Sequence, residues 1–192
     1  MTRTSERATK KKYGRAYSLC WCILMFTFGI GFSQSGNSQF IPGKLPDGFV
    51  YAQTPEYYGT YELPQKSGTI FDFIDGGGEI YLKHGFLSVT HILLKKEAVP
   101  PTQENPNAQD TITLDIYDLG SPGNANAAYA DTAICPEGFI EKNIGTTCKT
   151  YHYEPDYLIY FIKGKYLIYL GLSNDTLAET LTQFAAEIYK WL

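Results

Sequence analysis

Beyond residue 33 this chain contains no arginine. All three arginines fall within the first 15 residues, and the remainder carries ten lysines against 19 aspartates and glutamates, a net charge of −9. Arginine is the side chain of planar, two-pronged phosphate and carboxylate recognition, and nucleic-acid binders need a basic face. No nucleic-acid partner is therefore expected, nor docking of the acidic part on an anionic membrane surface. Histidine is scarce as well. His84, His91 and His152 are the only three; no two have zinc-ligand spacing, and there is no His-Glu-x-x-His. His91 and His152 fall in expected strands and could become neighbours in the fold. There is no Gly-x-Ser-x-Gly elbow: Ser121 stands before Pro122, where it reads as a helix cap. A phosphate-cradling loop and a dinucleotide fingerprint are also missing, as is an internal repeat. No cofactor and no metal site is implied.

Positive charge is concentrated at the start. Arg3, Arg7, Lys10, Lys11, Lys12 and Arg15 precede an apolar run over residues 17–32, and Gly31, Ser33, Ser35 and Gly36 follow. This layout gives residues 1–33 as a secretory signal peptide or, uncleaved, as an N-terminal membrane anchor. The run is slightly shorter than the roughly 20 residues of a membrane span. Cys20 and Cys22 follow Leu19 and Trp21, not a small residue, which argues against a lipoprotein site. The two cysteines beyond the leader are Cys135 and Cys148. In an exported chain such a pair reads as a disulfide, contributing about 3 kcal/mol in the chain-entropy picture; two separate thiols are the alternative.

Residues 34–66, with Pro42, Pro46, Pro55 and Pro64, read as an extended N-terminal arm, with a turn at residues 45–49. Residues 67–192 read as one domain. Helical spacing predicts a helix over residues 69–84, closed by Gly85. Strands are expected at 86–95 and 110–117, the second alternating through Ile112, Leu114 and Ile116, and the two should pair as an antiparallel hairpin around a polar loop at 98–109. A helix starts at Ser121 and Pro122. Strands at 146–153, 157–162 and 165–170 follow, the last two flanking a Lys163-Gly164 turn. The final helix opens with a Thr176–Glu179 capping box and carries a stripe of Leu177, Leu181, Phe184, Ala185, Ile188 and Trp191. The order gives an α+β fold: an antiparallel sheet of about five strands with helices packed mainly on one face.

Three consecutive glycines, Gly76, Gly77 and Gly78, interrupt the first expected helix, each costing about 1 kcal/mol relative to alanine. On a helix, Asp72, Asp75 and Glu79 share one face, and Gly76 and Gly77 let a backbone or ligand approach closely. With Tyr81 they form a candidate site for a cation or polar ligand bound through oxygen. The structural alternative is close helix-on-sheet packing, with the acids capping backbone N–H groups or facing water.

The run Phe73, Ile74, Asp75, Gly76, Gly77, Gly78, Glu79, Ile80, Tyr81, then Gly85 and Phe86, resembles the signature of an uncharacterised family of exported bacterial proteins, a domain of unknown function. Tyr117-Asp118-Leu119-Gly120-Ser121-Pro122 with Ala125 downstream is similar to that family's second block. The chain has Asp75 where Asn is common, Gly78 where Ala is common and His84 where Tyr is common. The resemblance implies a fold but no chemistry. Fourteen tyrosines lie beyond the leader; Tyr151, Tyr153, Tyr157, Tyr160, Tyr166 and Tyr169 fall on strands. Tyrosine gives contact surface with an apolar body and a polar tip. The function this predicts is a non-catalytic binding or accessory module of the periplasm or cell envelope, whose partner is an envelope protein or a small ligand. Two rivals are a small hydrolase-like enzyme using Asp75 and Glu79, and a structural partner of another envelope protein.

Overall fold

Strand alternation around residue 114 organises the molecule. The computed structural model describes residues 40–97, 110–140, 144–145 and 147–192; the expected signal peptide or anchor and the polar loop at 98–109 lie outside them. The strands are β1 (Phe49–Tyr51), β2 (Glu56–Gly59), β3 (Gly68–Thr69), β4 (Ser88–Lys96), β5 (Thr111–Asp118), β6 (Phe139–Ile140), β7 (Cys148–Tyr153), β8 (Asp156–Lys163) and β9 (Tyr166–Leu172). The helices are α1 (Ile70–Phe73), α2 (Gly78–Lys83), α3 (Pro122–Ala130) and α4 (Ala178–Trp191). The fold is α+β, as the order of elements implies. Its sheet runs β3-β2-β4-β5-β9-β8-β7-β6, with β1 also on β4. Every pairing is antiparallel except β2 with β3.

This sheet is larger than the five strands expected. Much of the addition comes from the segment read as an arm. Its prolines bracket strands instead of preventing them: β1 lies between Pro46 and Pro55, and β2 between Pro55 and Pro64. Both occupy the outer side of β4, where interruption by proline is tolerated. Phe40, further back, packs edge-on against Tyr166 and Trp191 at 4.8 and 5.6 Å.

Helices cover both faces. Ile92, Leu94, Ile112, Leu114, Ile116, Ile159, Phe161, Ile168 and Leu170 meet Leu181, Phe184, Ala185 and Ile188 of α4 on one face. On the other, Val89, Tyr117 and Leu167 meet Ile70, Ala125 and Ala128 beneath α1, α2 and α3. The longest helix thus stands opposite the three short ones. Cys148 belongs to the first core and Cys135 to the second. Both are buried and no disulfide joins them, correcting the expected bridge: the sheet itself lies between the two thiols. Among the described residues no helix is long and apolar enough to cross a membrane.

The expected helix over 69–84 is broken at its glycines. α1 ends at Phe73, and Gly76 takes φ +68 in the turn before α2. Gly78 is buried, and a Cβ there would lie 3.1 Å from both Ile70 and Phe71. The glycines therefore allow a turn and a close approach, not a continuous helix. Gly85 closes α2 at φ +74, as expected. Ser121 caps α3, its Oγ accepting from Asn124 N at 3.2 Å. α4 is instead preceded by a 3₁₀ turn, Asp175–Leu177, capped by Asn174.

Candidate functional site

The acids expected to form a site do not converge. Asp72 Oδ2 accepts from both the backbone N–H and the hydroxyl of Thr69, each at 2.8 Å, and caps α1. Those hydrogen bonds hold its carboxyl below the usual range. Asp75 and Glu79 are exposed, and neither makes a hydrogen bond or ion pair among the described residues. Gly76 has open space around it, while a Cβ on Gly77 would meet Ile74 at 2.5 Å. Tyr81 turns the other way, into the sheet. Its ring stacks on Tyr117 at 4.5 Å and 14°, and burial pushes its hydroxyl up to about 12.

What Tyr81 approaches is a polar row that crosses the sheet in register. Glu56 of β2 stands opposite His91 of β4, and His91 opposite Asp115 of β5. Asp115 stands opposite Tyr169 of β9, Tyr169 opposite Tyr160 of β8, and Tyr160 opposite Lys149 of β7. Six consecutive strands thus each contribute one ionisable side chain to the α1–α3 face, at the roughly 4.8 Å spacing of neighbouring strands.

The centre of the row is the pair His91 and Asp115, Nδ1 to Oδ1 at 2.6 Å, with side-chain exposures of 16% and 7%. With Asp115 ionised, Nδ1–H is the donor and Nε2 faces away from the carboxylate. Glu56 flanks His91 on its other side and accepts a hydrogen bond from the Tyr58 hydroxyl at 2.9 Å. Phe73 of α1 roofs the group: its ring lies 5.0 Å from His91 and stacks on Tyr58 at 5.0 Å. Burial alone would lower the His91 pKa, but hydrogen bonding and charge from Asp115, aided by Glu56, outweigh it and raise it. Burial also raises Asp115, against the opposing pull of His91 and Tyr117. The two shifts agree that the pair holds its protons tightly. Tyr169 is pushed up to about 12, first by burial and then by the charge of Asp115.

At the far end, Lys149 Nζ donates to the carbonyls of Tyr129 (3.0 Å) and Cys135 (3.3 Å) and lies 4.6 Å over the Tyr129 ring. Next to it, the Tyr151 hydroxyl is buried without a hydrogen-bond partner. One row further along the same face, Leu93, Thr113 and Leu158 are partly exposed and belong to neither core; Tyr153 beyond them is 67% exposed. Beyond the polar row this face is only partly covered: Leu93, Thr113 and Leu158 are partly exposed, while Gly171 and Tyr151 in the same row are buried. Of the other tyrosines expected on strands, Tyr157 and Tyr166 pack against the α4 core.

Each histidine has its own aspartate: His84 with Asp131 at 2.8 Å, His91 with Asp115, and His152 with Asp175 at 2.7 Å. His91 and His152 are not neighbours, since three strands separate β4 from β7 and the two side chains point to opposite faces. Among the described residues no cluster of three metal-ligating side chains occurs. A surface groove of about 510 Å³ separates the N-terminal segment from α4, lined by Lys44, Asp47, Thr180, Gln183, Glu187 and Lys190 among others. Sequence reasoning placed His91 and Asp115 on paired strands but missed their meeting. The available signal was Asp115 itself, a charge amid apolar residues in a strand expected to be buried. Compared with known proteins, the chain matches no family model, no curated protein and no solved structure.

Proposed function

We propose that this chain is a non-catalytic binding or accessory module, exported to the periplasm or cell envelope, that holds a protein partner against the tyrosine-bearing face of its sheet. The observation that carries the reading is the partly exposed strip beside the polar row: Leu93, Thr113, Leu158 and the exposed Tyr153 lie outside both cores, next to Tyr160 and Tyr169. Aromatic side chains, tyrosine among them, are enriched at recognition surfaces. Export rests on the charged, then apolar, then small-residue order of the first 36 residues, and residues 17–32 are the only membrane contact proposed. The net charge of −9 and the lack of arginine beyond the leader argue against nucleic acid. The resemblance to an exported family of unknown function is part of this proposal and is consistent with it. A hydrolase built on Asp75 and Glu79 is less well supported, because both carboxylates are exposed and act alone.

A photo-crosslinking residue in place of Tyr153, in the cell that makes the protein, is expected to trap one discrete envelope protein. The same residue in place of Asp47, on the α4 side, is expected to trap none. Equal labelling at both positions, or none at position 153, would overturn the proposal. Amino-terminal sequencing of the envelope fraction tests export separately, with a start near residue 34 expected.

A further inference from the structure

We infer that His91 and Asp115 form a proton-operated latch that holds α1 and the glycine turn behind it on the sheet. The inference is independent of the binding surface proposed above. His91 lies between two carboxylates, Glu56 on β2 and Asp115 on β5, one residue from each neighbouring strand. Asp115 is almost wholly buried and shares its hydrogen bond with the Nδ1 of His91 at 2.6 Å. A buried carboxylate is costly without a compensating charge, and protonated His91 is the nearest cation among the described residues.

α1 is a single turn of four residues, and behind it the chain passes through Gly76 and Gly77. Phe73 is the α1 side chain that reaches this site, its ring against both His91 and Tyr58. Tyr58 in turn donates to Glu56. The groups facing His91 are therefore Asp115 from β5, Glu56 and Tyr58 from β2 and the uncharged Phe73 from α1. Tyr81 of α2, Tyr117 of β5 and Tyr169 of β9 stand around Asp115, and Asp72 of α1 acts on Tyr58 from outside. No lysine pairs with Asp115 or Glu56 among the described residues.

With His91 protonated, one cation serves two carboxylates and the ring stays beneath Phe73. Once the proton leaves, the Nδ1–H···Oδ1 bond can persist, but two carboxylates then flank a neutral ring, one of them buried. Water must enter to solvate Asp115. The open side is the His91 edge, so entry displaces Phe73 and loosens α1 and the turn at residues 74–77. Short segments with glycine on one side and few buried contacts are where local opening occurs at low free energy.

The test is site-resolved hydrogen exchange of the full 192-residue chain from pH 5.5 to 8.5, corrected for the intrinsic pH dependence of exchange, with the His91 ring titrated by NMR in the same samples. The expected result is a rise in opening of the amides of residues 73–78, about tenfold or more, with a midpoint matching that of His91 and above the ordinary histidine value of about 6.5. β5 amides should show no such step. His91→Gln keeps a donor near Asp115 and cannot titrate, so it should abolish the step; Asp115→Asn should lower the His91 midpoint. Exchange at 73–78 that ignores the His91 titration, or a step that survives in His91→Gln, overturns the latch. If Asp115→Asn does not fold, His91→Gln alone still decides.

Discussion

The His91–Asp115 contact joins two titratable side chains at 2.6 Å inside the sheet. Both folded-state pKa values are raised. For a raised histidine the stabilisation is complete below the unfolded value of about 6.5 and is lost as pH climbs through the folded value. A raised aspartate acts in the same direction, because its protonated form is favoured in the fold. The aspartate part is lost from its unfolded value of about 4 upwards and the histidine part from about 6.5 upwards, and urea unfolding at pH 6 and pH 8.5 should show the second. His91→Gln should flatten that decline; an unchanged slope would refute the assignment. The acid limb has another origin. Asp72, Asp131 and Glu187 are lowered by hydrogen bonds from Thr69, from His84 and from Lys190 respectively, so what they contribute disappears only as pH falls below about 4. Gly85 makes a separate point. It sits at φ +74, and a Cβ would lie 2.2 Å from Asn124 Nδ2, an amide that donates to Leu119 O at 2.8 Å. Gly85→Ala should cost about 2 kcal/mol or more, through left-handed backbone strain plus the displaced amide. Gly76→Ala, in open space at φ +68, should cost only the backbone part. Chemical denaturation of the two variants separates strain from crowding.

Among the elements, sequence signals worked where local chemistry decides and failed where distant partners do. β4 and β5 paired as an antiparallel hairpin as expected, because strict alternation fixes which residues face the same side. Ser121 and Pro122 began α3 as their chemistry demands. β1 and β2 were not legible: each is four residues or fewer and gains its hydrogen bonds from β4, which no local pattern announces. The start of α4 misled for a different reason. Thr176 and Glu179 have capping-box spacing, but Asn174 lies two residues earlier and its Oδ1 accepts from both the N–H and the hydroxyl of Thr176, at 3.1 and 2.6 Å. Its Nδ2 also donates to Asp110 Oδ1 at 2.7 Å, tying the helix start to the head of β5. Asn174→Ala should therefore destabilise by about 1–2 kcal/mol, and Glu179→Ala by a few tenths at most. Matched thermal melts of the two variants decide which residue caps the helix. Of the residues read as a candidate site, Tyr81 stacks on Tyr117 beside the polar row, while Asp72 caps α1 and Asp75 and Glu79 are exposed, a separation the chain's local spacing does not announce.

At the scale of the whole molecule, one sheet serves two cores, and this sets how the parts depend on one another. Ile112, Leu114 and Ile116 of β5 support α4, while Asp115 and Tyr117 of the same strand lie on the α1–α3 face. Losing either helix layer leaves the apolar face beneath it exposed to water. Each face therefore stabilises the other through the backbone pairings of β4, β5, β9 and β8. The same geometry keeps Cys135 and Cys148 apart, so a non-reducing peptide map should contain no link between them. It also predicts how damage spreads. Leu181 is fully buried on the α4 side, and Leu181→Ala removes a large side chain from that core at a cost of about 2–5 kcal/mol. If the cores were independent, the tyrosine cluster around Tyr81, Tyr117 and Tyr169 on the opposite face would keep its original melting point. A shared sheet requires instead that it melts with everything else. The ring NMR signals of Tyr81, Tyr117 and Tyr169 and the far-ultraviolet circular dichroism should be lost together in Leu181→Ala, at one lowered temperature. Two separated transitions would show that the faces fold apart, and the row from Glu56 to Lys149 would then be a property of one core alone.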